Sequence, residues 1–273
     1  MRYLEFYGLL GEKLGHSLSP EIHEKIFSRL NIKGAYKIFE VKRENLQKFA
    51  DGLKVLQIKG TNVTIPYKQE IMPYLDEISK EARKINAVNT ILLKNGKLYG
   101  YNTDYFGFGT ILQKYNVPVE NQTCMVLGYG GAAKAVVQYL LDHAVKQLYI
   151  VSRRNIRENE YNDPRVSFKT YDQIKQITGD VLINTTPVGM SPDTDVSPVS
   201  GDVIQNFDTL IDLIYNPKMT KFLKIGKSLN KKICGGMEML VGQAVKAQEI
   251  WQNRKIPEDV IDEVIREMEQ FFQ

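Results

Sequence analysis

Thr123-Cys124-Met125-Val126-Leu127-Gly128-Tyr129-Gly130-Gly131-Ala132-Ala133-Lys134-Ala135-Val136-Val137 is the stretch on which the fold turns. Residues 124–127 make a compact apolar run, a glycine-rich turn follows at once, and residues 132–141 have helical composition. Strand, tight turn and helix in that order is the context in which Gly128, Gly130 and Ala133 acquire meaning as G-x-G-x-x-G/A. The first glycine permits the tight turn and the second lets backbone approach a pyrophosphate. The small Ala133 lets helix and strand pack closely, and the helix N-terminus offers unpaired N–H donors to the anion. A glycine turn without a ligand has the same spacing, so the neighbouring residues must decide.

They lie at the end of the next apolar run, about 20 residues on, where an NAD enzyme places an acid for the ribose hydroxyls. This chain reads Ser152-Arg153-Arg154 there, with Arg157 as a third cation. Arginine suits the 2′-phosphate of NADP, although a solvated basic loop would carry the same residues. Each charge-assisted bond contributes about 1.5–3 kcal/mol, so two favour NADP over NAD by roughly 10² to 10⁴. NADP is therefore the expected cofactor.

Outward from this unit, further strands are predicted at 148–151, 181–184 and 210–213, separated by enough chain for crossover connections, which gives a doubly wound parallel sheet. Upstream, strands at 4–10 and 58–63 alternate with helices at 19–30 and 44–53 and an extended run at 35–41. Ser19-Pro20 reads as an N-cap and first helical residue, and Asn95-Gly96 between 88–93 and 97–101 as a hairpin turn. Beyond Gly235-Gly236 the chain turns helical, ending in an amphipathic helix over 258–272 with Val260, Ile261, Val264, Ile265 and Met268 on its apolar stripe. The reading is an α/β protein of two domains. A substrate-binding domain spans 1–103, with the helical segment from about 241 to 273 packing back on it, and a Rossmann-like NADP domain spans 104–240.

Composition agrees with that size and narrows the function. The 273 residues hold 36 Lys plus Arg against 32 Asp plus Glu, a mild +4 that gives no nucleic-acid surface. Cys124 and Cys234 form neither a CxxC pair nor a Cys/His cluster, so no metal or disulfide framework is expected. Apolar runs are strand-sized and Glu5 interrupts the N-terminus, so the chain reads as soluble and cytoplasmic, with no membrane partner.

Polar residues in the first half keep unusual company: Gly15-His16-Ser17-Leu18-Ser19-Pro20, Asn62-Val63-Thr64-Ile65-Pro66-Tyr67-Lys68, Asn86-Ala87-Val88-Asn89-Thr90 and Tyr101-Asn102-Thr103-Asp104. The second half adds the glycine turn, Asn184-Thr185-Thr186-Pro187-Val188-Gly189-Met190, Asp212-Leu213-Ile214-Tyr215-Asn216-Pro217 and Gly236-Met237-Glu238-Met239-Leu240-Val241-Gly242-Gln243-Ala244. This ordered series strongly resembles the shikimate dehydrogenases over nearly the whole chain. The resemblance implies a two-domain enzyme with its active-site cleft between the domains, working as a monomer or homodimer. It would reduce 3-dehydroshikimate to shikimate with NADPH, in the biosynthesis of chorismate and the aromatic amino acids.

Residue by residue, the resemblance implies that Ser17 and Ser19 hold the substrate carboxylate and that Asn62, Thr64, Asn89, Asp104 and Gln243 meet ring hydroxyls. Lys68 and Asp104 are implied as the catalytic pair, and Tyr215 as a wall of the substrate pocket. For the cofactor it implies Gly128, Gly130, Gly131, Ala132, Ala133, Ser152, Arg153, Arg154, Arg157 and Thr185, with Gly236 and Met239 at the nicotinamide. The chemistry asks for such a set. Hydride addition to a ketone leaves charge on oxygen, and a positioned general acid contributes about 10² to 10⁴ in rate. Lys68 suits that role, and Asp104 would orient it.

Plainer readings stand beside these. Lys68 also reads as a solvated lysine at a helix start, Asp104 as the N-cap of a helix over 105–115, and Ser19 as cap and ligand together. His16 reads as a loop residue, His23 and His143 as helix-surface residues, and Met237, Met239 and Leu240 as core. Two departures from the family pattern are Ser152 and Arg154 where Asn and Thr often stand, and Glu238 where many members carry Gly. The sequence does not say which way Glu238 points. Competing functions are an NAD-using quinate/shikimate dehydrogenase, a non-catalytic metabolite or NADP sensor, and an unrelated Rossmann reductase. The first would carry an acid where Asn155 stands, the second would have lost Lys68 or Asp104, and the third leaves the ordered polar series unexplained.

Overall fold

The computed structural model describes residues 4–15, 17–153 and 161–272. The chain divides into two compact units, Met1–Gly107 with Val241–Met268, and Phe108–Leu240 with Glu269–Gln273.

The first unit runs β1 (Glu5–Gly11), α1 (Ser19–Leu30), β2 (Gly34–Glu40), α2 (Leu46–Val55), β3 (Gly60–Val63), β4 (Glu77–Ile78), α3 (Lys80–Ile85), β5 (Thr90–Lys94) and β6 (Lys97–Tyr101), and enters α4 (Thr103–Lys114). Its sheet has the order β2-β1-β3-β5-β6-β4. β1 lies parallel to β2 and β3, whereas β3, β5 and β6 pair antiparallel, so the sheet is mixed. The β5–β6 hairpin turns on Asn95 and Gly96 at φ 52° and 74°, as their tolerance of positive φ predicts.

The second unit holds β7 (Thr123–Leu127), α5 (Gly131–Asp142), β8 (Gln147–Val151), β9 (Val166–Lys169), β10 (Gly179–Asn184), α6 (Gly201–Ile204), β11 (Phe207–Asp212), α7 (Lys221–Ser228) and β12 (Lys232–Cys234). All pairs in the order β12-β11-β10-β7-β8-β9 are parallel. Apolar side chains alternate between two buried faces: Cys124, Val126 and Ile183 pack with α5, while Met125, Leu127 and Leu182 pack with Phe222 of α7. Burial on both faces explains why these strands read as continuous apolar runs. The strand order reverses between β7 and β10, the switch point at which doubly wound sheets bind their ligands. α8 (Met237–Gln252) and α9 (Glu258–Glu269) close the chain. Among the described residues no helix is long and apolar enough to cross a membrane.

Several local expectations are corrected. Ser19 is not a cap: Leu18 holds that position, and the Ser19 N–H is taken by Ser17 Oγ at 3.2 Å. Asp104 lies inside the first turn of α4, and Asn102 Oδ1 accepts from Tyr105 N at 3.4 Å in its place. Lys68 stands in a run of turns and not at a helix start. His23 is not on the surface. It is fully buried, stacked on Tyr36 at 4.3 Å and bonded through Nδ1 to Gln248 of α8. β4, β9, β12 and α6 have two to four residues each, too few for periodicity to show.

Candidate active site

In the first unit, residues far apart in sequence converge on Asp104. Lys68 Nζ donates to Asp104 Oδ2 at 2.6 Å, with side chains 20% and 12% exposed. Two bonds position the turn carrying Lys68: buried Tyr67 donates its hydroxyl to Val41 O at 2.6 Å, and Val88 N donates to Lys68 O at 2.7 Å. The other Asp104 oxygen, Oδ1, accepts from Asn89 Nδ2 at 2.8 Å. Asn89 cannot turn over without loss, because its Oδ1 already accepts from Thr103 N at 2.7 Å and from Thr103 Oγ1 and Thr90 Oγ1 at 3.1 Å. Its amide is fixed by donors on one side and a carboxylate on the other.

Asn62, at the end of β3, extends this network. Its Nδ2 donates to Thr90 Oγ1 at 3.1 Å, and its Oδ1 accepts from the Tyr36 hydroxyl at 2.8 Å. Thr64 follows β3 half-buried, and Ser17 Oγ stands 3.2 Å from Ser19 Oγ at the start of α1. Gln243 lies half-buried on α8. Lys68, Asn89 and Asp104 are thus joined directly, Asn62 is joined to them through Thr90, and Ser19, paired with Ser17, reaches the same network through a side-chain hydrogen bond with Tyr36. Thr90, Thr103 and Tyr36 are supports not assigned from the sequence. Both threonines sit inside the quoted motifs, next to Asn89 and Asp104, and Tyr36 had no signal beyond its place on a predicted extended run.

In the second unit the site is largely backbone. Gly128 follows β7 at φ +104°, a conformation that an L side chain rarely adopts, and a Cβ there would stand 2.8 Å from Thr185 Oγ1. Thr185 Oγ1 donates to Leu127 O at 2.7 Å and so pins the loop after β10 beside the glycine turn. Gly130 and Gly131 leave open space where a Cβ would be, Ala132 is half-buried and Ala133 is wholly buried against the sheet. Gly130 caps α5 without a side-chain bond, so no side chain competes for its first amides. Ser152 and exposed Arg153 follow β8, while Arg154 and Arg157 lie outside the described residues. An open glycine cradle at the switch point, with a cation after the next strand, fits a phosphorylated dinucleotide.

At the ends of β10 and β11 a buried carboxylate braces the adjoining loops. Asp212 accepts from Thr220 Oγ1 at 2.6 Å, Asn184 Nδ2 at 3.0 Å and Ile214 N at 3.1 Å. Burial pushes its pKa up to about 6 against these bonds. Asn184 Oδ1 in turn accepts from Thr186 Oγ1 at 2.7 Å, so the loops of Thr185 and Tyr215 share one support. Tyr215 is half-buried, Met239 is buried in the apolar core of this unit, and Gly236 is buried against the Leu213 carbonyl.

The chain is similar to known proteins along nearly its whole length. Residues 9–91 match the family model of the shikimate dehydrogenase substrate binding domain. The shikimate dehydrogenase (NADP(+)) of Clostridium beijerinckii is 62% identical over 249 residues, covering 91% of this chain and 92% of its own. The crystal structure of shikimate dehydrogenase 1 from Peptoclostridium difficile is 48% identical with a TM-score of 0.87, covering 98% of this chain and 99% of its own. A solved shikimate dehydrogenase in complex with NADP+ is 36% identical with a TM-score of 0.86, covering 97% of this chain and 95% of its own. With likeness of this degree along nearly its whole length, the chain belongs to the shikimate dehydrogenase family.

Proposed function

We propose that the chain is an NADP-dependent oxidoreductase that interconverts 3-dehydroshikimate and shikimate, a step on the route to chorismate and the aromatic amino acids. The observation that carries this reading is the Lys68–Asp104 pair at 2.6 Å, with the second Asp104 oxygen held by Asn89. NADPH at the glycine turn supplies the hydride. The remaining work falls to side chains. Lys68, oriented by Asp104, meets the carbonyl oxygen and gives it the proton that makes the hydroxyl. In the oxidative direction it takes that proton back. Asp104 accepts a hydrogen bond from the reacting or adjacent hydroxyl, and a fixed carboxylate does so more reproducibly than water.

Ser17 and Ser19 hold the substrate carboxylate, Asn62, Thr64, Asn89 and Gln243 meet ring hydroxyls, and Tyr215 closes the pocket. A buried amide left unpaired costs about 1–3 kcal/mol, so this set rejects analogues that lack a hydroxyl. Arg153 meets the 2′-phosphate of NADP, with Arg154 and Arg157 as sequence-based candidates beside it, Thr185 contacts the cofactor, and Gly236 and Met239 face the nicotinamide. The enzyme works in the cytoplasm as a monomer or homodimer on small molecules.

Nicotinamide absorbance on mixing the protein with each pairing of NADP+ or NAD+ and shikimate or quinate tests the reading. Rapid reduction with NADP+ and shikimate alone is expected. Activity with NAD+ and quinate would replace it by a quinate/shikimate dehydrogenase, and silence in all four with NADP+ still bound by a metabolite sensor.

A further inference from the structure

We infer that Glu238 is a positioning residue for the nicotinamide end of the cofactor site, an inference that rests on the NADP reading above. Glu238 stands in the first turn of α8, between Gly236 and Met239, and is 3% exposed. Its Oε1 accepts a hydrogen bond from the Tyr115 hydroxyl at 2.9 Å and lies 3.6 Å from Lys114 Nζ. The start of α8 is thereby tied to the end of α4. Two residues earlier, a Cβ on Gly236 would come 2.2 Å from Leu213 O, so the backbone there is held by close approach.

Met237 and Met239 are buried, but packing does not fill the space beside this segment. A cavity of about 220 Å³ is lined by Tyr115, Tyr215, Gly235, Gly236, Met237 and Glu238 among others. Where side chains leave such space, a charge-assisted hydrogen bond takes over the task of fixing backbone position. The first turn of a helix also favours a carboxylate. Burial and the nearby Glu238 charge push the Tyr115 hydroxyl up, which keeps it a donor. With the tie removed, residues 236–239 lose their hydrogen-bonded link to the end of α4 and keep the close approach at Gly236 and the buried Met239.

Equilibrium binding separates this role from general stability, using NADP+ and adenosine 2′,5′-bisphosphate, which shares the adenosine half and lacks nicotinamide. Glu238→Ala is expected to weaken NADP+ about tenfold, the effect of one lost charge-assisted bond, while leaving the bisphosphate within about twofold. Tyr115→Phe should move NADP+ in the same direction by a smaller factor, and Glu238→Gln, which still accepts from Tyr115, should restore most of the affinity. Equal weakening of both ligands, or no change in either, overturns the inference. Should Glu238→Ala fail to fold, Tyr115→Phe against Glu238→Gln provides the same contrast. A wild-type chain that binds neither ligand removes the NADP reading itself, whereas wild-type binding that Glu238→Ala leaves intact removes only the role of Glu238.

Discussion

The candidate sites of the two units are built from different materials. In the first unit the site is a mesh of side chains, Lys68, Asp104, Asn89, Thr103, Thr90 and Asn62, each fixed by its neighbours. In the second it is mostly main chain: a positive-φ glycine, open space at Gly130 and Gly131, and the amides that begin α5. A ring with several hydroxyls must be matched group by group, which side chains do, whereas a pyrophosphate needs many N–H donors at close range, which backbone supplies when no Cβ intervenes. The first half should therefore fail when a functional group is deleted and the second when a carbon is added.

Deleting the reacting group has the largest expected effect. Lys68→Ala should lower turnover of shikimate by about 10² or more with shikimate binding nearly unchanged, measured by steady-state rates beside calorimetric titration. Unchanged turnover would take Lys68 out of the chemistry. Adding a carbon comes next. Gly128→Ala forces an L residue to φ +104° against Thr185, at a cost of about 1–3 kcal/mol. NADP+ affinity should fall by roughly 5- to 150-fold with shikimate affinity intact, and loss of both together would break the contrast between the halves. Arg153→Ala should raise the KM for NADP+ by about tenfold, the lower end of one charge-assisted bond, and that for NAD+ far less. Equal effects would mean no 2′-phosphate contact.

The last contrast concerns stability and again sets one unit against the other. Burial holds His23 neutral by lowering its pKa to about 3. Between there and its ordinary 6.5 the unfolded chain binds a proton that the folded chain does not, so this residue lowers stability by about 2 kcal/mol from pH 7 to 5. Asp212, raised to about 6, acts oppositely, since from about 6 down to its ordinary 3.8 the folded chain holds the proton, a gain of about 1 kcal/mol over the same step. Urea midpoints at the two pH values should show His23→Gln losing less than wild type on acidification and Asp212→Asn losing more. Parallel shifts in all three proteins would contradict both assignments.

Some of this was legible from residues alone. Asn95-Gly96 declared its hairpin, and Gly128, Gly130 and Ala133 after an apolar run declared the switch-point turn, because both signals depend on local φ and on the absence of a side chain. Asp104 was harder to read. Its sequence context suits a cap as well as a catalyst, and only the position of α4 showed that Asn102 takes the capping role and leaves both carboxylate oxygens for Lys68 and Asn89. His23 was misread because its burial comes from Gln248, Tyr36 and Trp251, two of them more than 200 residues away. No local pattern encodes a partner at that distance.

The sequence by itself determined the α/β class, the nucleotide turn, the cation that follows β8 and the family, since these rest on short-range conformational preference and on ordered motifs. Tertiary structure decided which polar residues touch, that Glu238 points inward, and that Lys68 and Asp104 meet at 2.6 Å. The physical reason is that strand order and helix return bring distant residues together, and whether a polar atom is buried and paired exists only once those elements have packed.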